Sequence, residues 1–440
     1  MELMEPIAIL MAMLKDPSYL LVKVKEITFE SGIKLYEVQA GGAEVETPPA
    51  GTPHWGTGKV YPACYVREGG SGEVKTLKVK VEWRQLNRSG SAKLTGKSPK
   101  GTIVIEGNFS VSGERGEAEV SCEFKKRPTS VANFGFGVTL TWTVQCAGEK
   151  VTATGGNQAA LYFVDAKPLP VGWGYKKHYL KVVQWATGWA SGRAGKDKVL
   201  AAIWSKFSKG GKAARVPHVT GFSYWKTNDP VQDLKTLLRP DVDVLKKGWS
   251  CRAIAHLFME CLAVHGIKCL EVIPVTAAST EMFLVHNWKV RPKPIPNWDG
   301  TPDYYYAGSW IPSNYPPLSI AVSTSLTQHT TLGPTKSPLK IDMLKKSGVP
   351  GQGQPRAPLG FYNHWIVEVD GKLYDTSYGL KHANDMVAYA KTSLAGWLLG
   401  LLDDEFTVGR GKAAAKRPSK AWYTMGISSY TLQRNNGSSN

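Results

Sequence analysis

Two hydrophobic periods divide this chain. From about Tyr19 to Lys167, apolar residues recur at every second position in Leu20–Phe29, Ile33–Val38, Val74–Trp83, Thr102–Val111, Gly116–Phe124, Gly137–Cys146 and Ala159–Val164. Period two sends alternate side chains to opposite faces of a strand, and Gly/Ser/Pro clusters separate the runs. The pattern predicts an antiparallel β-sandwich over residues 19–168 with one wet face, immunoglobulin-like in its number of short strands. The lysines at the alternate positions then line solvated strand faces. Glu44 to Gly58, rich in Pro, Gly and Thr, reads as a long loop.

Past a Pro/Gly/Trp joint at Pro168–Gly174 the period changes to three and four. Tyr175–Trp189 and Lys196–Phe207 read as helices, the second with Val199, Leu200, Ile203, Trp204 and Phe207 on one face. Asp229-Pro230 opens a short helix running through Leu237 and Leu238. Residues 247–269 read as a loop entering a buried helix, with Ile254, Leu257, Phe258, Cys261, Leu262 and His265 on one face. Gly266 closes that helix, and Ile267–Val275 follows as a buried strand. A long irregular region covers Lys289–Gly360. Strands within Phe361–Tyr378 and a helix over His382–Leu402 come next, and Trp422–Leu432 can add a strand inside a basic, polar tail. The division expected is an amphipathic segment 1–18, a β-domain 19–168, a mixed domain 172–408 and a tail 409–440.

Composition narrows the function classes. At 440 residues and 42% hydrophobic content, the chain can bury a large core. A formal net charge of +18 attracts anionic partners, an anionic polymer among them. The basic residues read as spread along the chain with no nucleic-acid-binding motif, which argues against a dedicated DNA or RNA binder. The apolar run Pro6–Leu14 follows Glu2 and Glu5 instead of basic residues and is too short to span a bilayer. The expectation is no signal peptide, no transmembrane segment and a cytoplasmic location. Six cysteines without a Cys-x-x-Cys pair call for no metal, and nothing calls for a cofactor. Cys122 and Cys146 lie in two predicted strands and can bridge or stay reduced.

Chemistry concentrates at two places. Cys251 stands in the first turn of its helix, where unpaired N–H groups and the positive end of the dipole favour a thiolate, the nucleophilic form. The competing reading is a small buried residue. A thiolate nucleophile needs a base and an orienting group. Residues 361–379 read Phe-Tyr-Asn-His-Trp-Ile-Val-Glu-Val-Asp-Gly-Lys-Leu-Tyr-Asp-Thr-Ser-Tyr-Gly. A two-residue turn at Asp370-Gly371 pairs Val369 with Lys372 and sets Asp375 opposite Ile366. His364 shares a face with Ile366, so His364 and Asp375 become diagonal neighbours. Read separately, His364 is an ordinary sheet histidine and Asp375 a turn-starting aspartate. His286, in His286-Asn287-Trp288, competes for the base role, but no Asp-Gly turn returns an aspartate to it. His256 falls on another helix face from Cys251. His265 lies in the last helical turn, where a cation suits the dipole. The backbone N–H of Cys251 is the natural first oxyanion donor, and the Trp225 indole is a candidate second, with plain core as its alternative.

Gly248-Trp-Ser-Cys251 opening a helix that ends in Val-His-Gly-Ile, Asn363-His364-Trp365, and Tyr374-Asp375-Thr376 together resemble the transglutaminase-like superfamily of cysteine acyltransferases and amidases. The order Cys, His, Asp is that family's, and the resemblance covers about residues 195–400. It implies a papain-like α+β domain with Cys251 as nucleophile, His364 as general base and acid, and Asp375 as orienter. The implied activity is acyl transfer from an amide of a protein or peptide through a Cys thioester, with hydrolysis expected because no feature selects an amine acceptor. The other reading is a non-catalytic scaffold whose basic β-domain captures an anionic partner.

Overall fold

The computed structural model describes residues 19–30, 33–50, 52–56, 59–70, 76–155, 158–170, 177–208, 224, 230–275, 281–285, 289–291, 340–342, 360–361, 364–382, 394–402, 420–425 and 431–435. The fold is mixed α/β and strand-rich, with two hydrophobic cores meeting on one sheet.

The first core lies inside a ten-stranded sheet. Its main antiparallel run joins Leu20–Phe29, Thr76–Gln85, Arg115–Lys126, Val104–Val111, Gly90–Lys97 and Thr141–Cys146. This sheet curls. Residues 149–152 pair antiparallel with Thr141–Cys146, and the chain then pairs Thr154 and Gly155 in parallel with Lys23 and Val24, bringing the far end back to the first strand. A register shift between Val24 and Glu26 adds local bend, as β-bulges do. The alternation read from the sequence is thus satisfied by one sheet curling around Val22, Val79, Val81, Leu94, Ile105 and Trp142, with a small second sheet beside it. Curvature also needs room inside. Gly96 pairs opposite Trp142, and a Cβ there would fall 2.6 Å from the indole ring.

Outside, the lysines meet glutamates across the strands: Lys25 with Glu82, Lys78 with Glu30 and Glu119, Lys80 with Glu117, and Lys93 with Glu106. Exposed pairs of this kind add little stability, but they neutralise the face. Residues 1–150 carry nineteen basic and seventeen acidic side chains, whereas residues 151–250 carry sixteen and six. The positive surplus is therefore greatest over residues 151–250, where acidic side chains are few, while the basic residues themselves are spread along the chain. Cys122 and Cys146 are both free and buried.

The small sheet runs in the order Ala132–Thr139, Gln158–Val164, Pro62–Val66, the last two parallel. Parallel strands buried on both faces lose the polar half of the alternation, and Pro62–Val66 is buried throughout. Ala63, Tyr65, Leu161 and Phe163 face the curled sheet's core. Cys64, Val66, Tyr162 and Val164 face the second core, built on the helices.

Those helices are Leu180–Trp189, Lys196–Trp204, Leu234–Leu238, Val244–Lys247 and Cys251–Val264. Leu180–Trp189 starts five residues later than the periodicity suggests, because His178–Tyr179 pairs as a strand with Leu35–Tyr36. Asp233, not Asp229-Pro230, caps Leu234–Leu238, its carboxylate accepting from the Thr236 N–H at 2.8 Å. A five-stranded sheet covers the Cys251–Val264 helix, in the order Leu380–His382, Lys372–Asp375, Ile366–Val369, Leu270–Val275, Thr431–Asn435. The helix read over His382–Leu402 is corrected in its described part: Leu394–Leu402 is a strand between Glu281–Val285 and Lys420–Met425. The uninterrupted apolar run Leu-Ala-Gly-Trp-Leu-Leu-Gly-Leu-Leu fits a strand inside a sheet as well as a helix, so periodicity could not separate them. Most of the Lys289–Gly360 region and the Asp303-Tyr-Tyr-Tyr run lie outside the described residues. No helix among the described residues is long and apolar enough to cross a membrane.

The C-terminal end of Cys251–Val264 is pinned to the end of the shared sheet. Gly266, at φ +73°, donates to the Ala263 carbonyl at 2.9 Å while Ile267 donates to Leu262 at 3.0 Å, a Schellman closure. A Cβ on Gly266 would sit 2.7 Å from the Lys167 carbonyl oxygen. Gly266→Ala should therefore destabilise by about 2 kcal/mol or more through left-handed strain alone, before the clash is added; denaturant titration reads the change. His265, 1% exposed, accepts the Asp165 N–H on Nδ1 at 3.1 Å. Burial lowers its pKa to about 4, so it is neutral and does not serve the dipole as a cation, correcting that expectation. The unfolded chain takes up a proton near pH 6.5 that the folded chain refuses until about 4, so stability falls as pH drops across that window. His265→Asn keeps an acceptor near Nδ1 without titrating. It should recover up to about 3 kcal/mol of the wild-type loss between pH 6.5 and 4, measured by denaturation at each pH.

Candidate active site

The nucleophile candidate is placed by its N-cap. Ser250 accepts the Ala253 N–H on Oγ at 3.3 Å, and its own N–H donates to the Val231 carbonyl at 2.8 Å. Val231 in turn donates to Gly248 at 2.9 Å, so the turn before the helix is held from outside. Cys251 then begins the helix with its side chain inward, 4% exposed.

The hairpin delivers the other two residues. Asp370 and Gly371 both have positive φ, +48° and +71°, as a type I′ turn requires. Val369 pairs with Lys372 and Val367 with Tyr374, which is the register the Asp-Gly turn predicts. His364 Nε2 and Asp375 Oδ2 lie 3.0 Å apart, both residues fully buried. Asp375 Oδ1 accepts the N–H groups of Ser377 at 3.0 Å and Tyr378 at 3.1 Å. The turn-starting role and the histidine contact are therefore both real, one on each carboxylate oxygen. Cys251 lies close enough to His364 to act on its charge, and with Nε2 committed to Asp375 the ring nitrogen left for the thiol is Nδ1.

Electrostatics follow from burial. Desolvation alone would depress the His364 imidazole, but the Asp375 charge and hydrogen bond, with the Cys251 contact, outweigh it and push His364 up to about 10. His364 is thus an imidazolium across the neutral range. Next to each partner sits a second contact: Arg252 lies over the Trp365 ring, 5.9 Å from its centroid, tying the nucleophile's neighbour to the base's neighbour.

Two tyrosines complete the site, and the sequence reading missed both. Tyr378 packs on His364 with ring centroids 5.4 Å apart, and on Tyr224 at 5.5 Å. Tyr224 reaches the site because it bridges to Trp249, two residues before Cys251. The signal for Tyr378 was its place three residues after Asp375, inside the same turn. Trp225 and His286 lie outside the described residues. His256 is held elsewhere, its Nε2 3.0 Å from buried Glu271. Among the described residues, no group of three His, Cys, Asp or Glu side chains is placed to hold a metal ion.

Neither a protein-family model nor a curated protein sequence matches this chain.

Asp375→Asn separates the two jobs of this carboxylate. The amide oxygen can still accept the turn N–H groups, but the amide nitrogen must donate to Nε2, which leaves the ring neutral and removes the imidazolium charge that favours the thiolate. Cys251 alkylation by iodoacetamide should slow roughly ten- to hundred-fold, as the thiolate fraction falls. The melting temperature should change little, whereas Asp375→Ala should lower both, because the turn loses its acceptor as well.

Proposed function

We propose that this chain is a cysteine-nucleophile acyl-transfer enzyme, with Cys251–Val264 and its covering sheet as a papain-like, transglutaminase-like core. The observation that carries this reading is one connected set: Cys251 at a helix N-terminus, close enough to act on the charge of His364, whose ring is held by Asp375. In this reading the Cys251 thiolate adds to the carbonyl carbon of a protein or peptide amide, and the carbonyl π pair moves to oxygen. As the intermediate collapses, the C–N bond breaks and His364 gives its Nδ1 proton to the leaving nitrogen. That leaves a thioester and a neutral imidazole. His364 then takes a proton from water as it attacks, and the second collapse releases a carboxylic acid and restores the Cys251 thiolate beside the imidazolium. Asp375 keeps the ring oriented and stabilises each imidazolium. Water is the acceptor in this account because no group in the site selects an amine.

Thiol reactivity tests the reading. Burial pushes the Cys261 thiol well up and the Cys269 thiol up to about 12, so both should alkylate slowly. Cys251 should react with iodoacetamide near neutral pH at least about ten-fold faster than either. His364→Gln, which leaves Asp375 a hydrogen-bond donor, should abolish that advantage while the protein stays folded by circular dichroism. Equal labelling of the three cysteines, or kinetics unchanged in His364→Gln, would remove the assignment. Profiling wild type against peptide and isopeptide amides then finds the substrate.

A further inference from the structure

An oxyanion formed at Cys251 needs more than one donor, and the backbone N–H of Cys251 supplies one. The structure offers a second from a place the sequence motifs do not mark. Tyr378 follows Asp375 by three residues, and its own N–H is bonded to Asp375 Oδ1 at 3.1 Å, so its backbone is fixed to the carboxylate that fixes the base. Its ring is 2% exposed, tilted at 43° against His364 and edge-on to Tyr224. Tyr224 is 1% exposed and bridged to Trp249, so the two phenols converge from opposite sides of the nucleophile's turn.

The buried Tyr378 hydroxyl has no hydrogen-bond partner among the described residues. A buried hydroxyl left so costs about 1–3 kcal/mol, and such groups call for an explanation. It cannot relieve the cost by ionising: burial, together with the nearby Asp375 and Cys251 charges, holds it well above the usual tyrosine range. Tyr378 is therefore a protonated donor beside the sulfur that would generate negative charge.

Resting on the acyl-transfer reading, we propose that Tyr378 is a catalytic residue, the second oxyanion donor, with Tyr224 positioning its ring. As the Cys251 sulfur forms its bond to the carbonyl carbon, the π pair moves to oxygen and the Tyr378 O–H hydrogen bonds that oxygen. No proton leaves Tyr378. The bond dissolves when the carbonyl re-forms and the leaving group departs. The Trp365 indole N–H also has no acceptor among the described residues, but its ring is half-buried under Arg252, whereas Tyr378 packs on His364 itself.

Two probes of the same thiol isolate this role. p-Nitrophenyl acetate acylates a thiolate through a tetrahedral oxyanion. Iodoacetamide alkylates it by direct displacement at carbon, with no oxyanion. Tyr378→Phe should lower Cys251 acylation by about 10²- to 10³-fold and leave alkylation within about two-fold of wild type. Tyr224→Ala, which removes the ring that Tyr378 packs on, should show the same selectivity with a smaller loss. Acylation retained in Tyr378→Phe overturns the donor role, as does loss of both reactions together, which would place Tyr378 in support of the His364 base. Acylation that survives Tyr378→Phe but fails in Trp365→Phe moves the role to the indole. A wild-type Cys251 that neither alkylates nor acylates overturns the nucleophile reading itself, and the donor role falls with it. Circular dichroism and melting temperature on each variant show whether a joint loss is only misfolding.

Discussion

The site depends on how one buried carboxylate divides its lone pairs. Asp375 is fully buried, and an isolated carboxylate there would carry a large desolvation cost. It is kept by three donors: two turn N–H groups on Oδ1 and the His364 ring on Oδ2. The turn therefore orients the carboxylate before the histidine meets it, and the histidine is protonated because the carboxylate is there. Removing the turn would cost the base its direction, and removing the base would leave the carboxylate under-satisfied. Order at the end of the hairpin and the placing of the imidazole are the same constraint, which is why Tyr378, carried by that turn, also sits against His364.

The helix that meets this hairpin is buried on nearly every side, which hydrophobicity alone would leave free to slide or rotate. Only Arg252 among its residues is even half-exposed. Polar contacts remove those freedoms. His256 binds Glu271 at 3.0 Å on the neighbouring strand, and Glu260 binds His178 at 3.2 Å ahead of the Leu180–Trp189 helix. His265, just past the end, accepts from Asp165, whose carboxylate also binds Arg67 and the Gly195 N–H. Buried polar pairs are weak contributors to net stability, but a mismatched register would leave each one unpaired at a cost of several kcal/mol. They are well suited to fixing position.

Much of this could be read from residue order, for a physical reason. Contacts set by local geometry are written in local sequence: the Asp370-Gly371 turn dictates strand register, and register dictates the His364–Asp375 diagonal. The Ser250 cap, the helix over Ile254–Val264 and the Gly266 closure are likewise short-range. What was illegible depends on distant partners. The curl of the first sheet rests on residues 149–155 finding Lys23 and Val24, and nothing near either segment announces the other. Leu394–Leu402 is apolar throughout, so its strand state comes from its neighbours in the sheet. Tyr224 entered the site through a bridge to Trp249 while its neighbour Trp225 drew attention by its indole. His265 carried the right residue type for a dipole cation, but burial keeps it neutral.

The shared sheet explains why a β-rich half should accompany such a site at all. Pro62–Val66 and Gln158–Val164 present Cys64, Val66, Tyr162 and Val164 to the helices, and Ala63, Tyr65, Leu161 and Phe163 to the curled sheet. A sheet buried on both faces cannot shift toward one core without opening the other, since close-packed interiors pass displacement on instead of absorbing it. Asp165 lies directly after that sheet's last strand and is the residue to which His265 is bonded. The curled sheet thus supports the floor on which the Cys251–Val264 helix rests, while the hairpin sets His364 against its first turn. Cys251 lies at the opposite end of the helix from this pin. The distance from sulfur to imidazole is therefore decided jointly by packing in the β-rich half and by one two-residue turn.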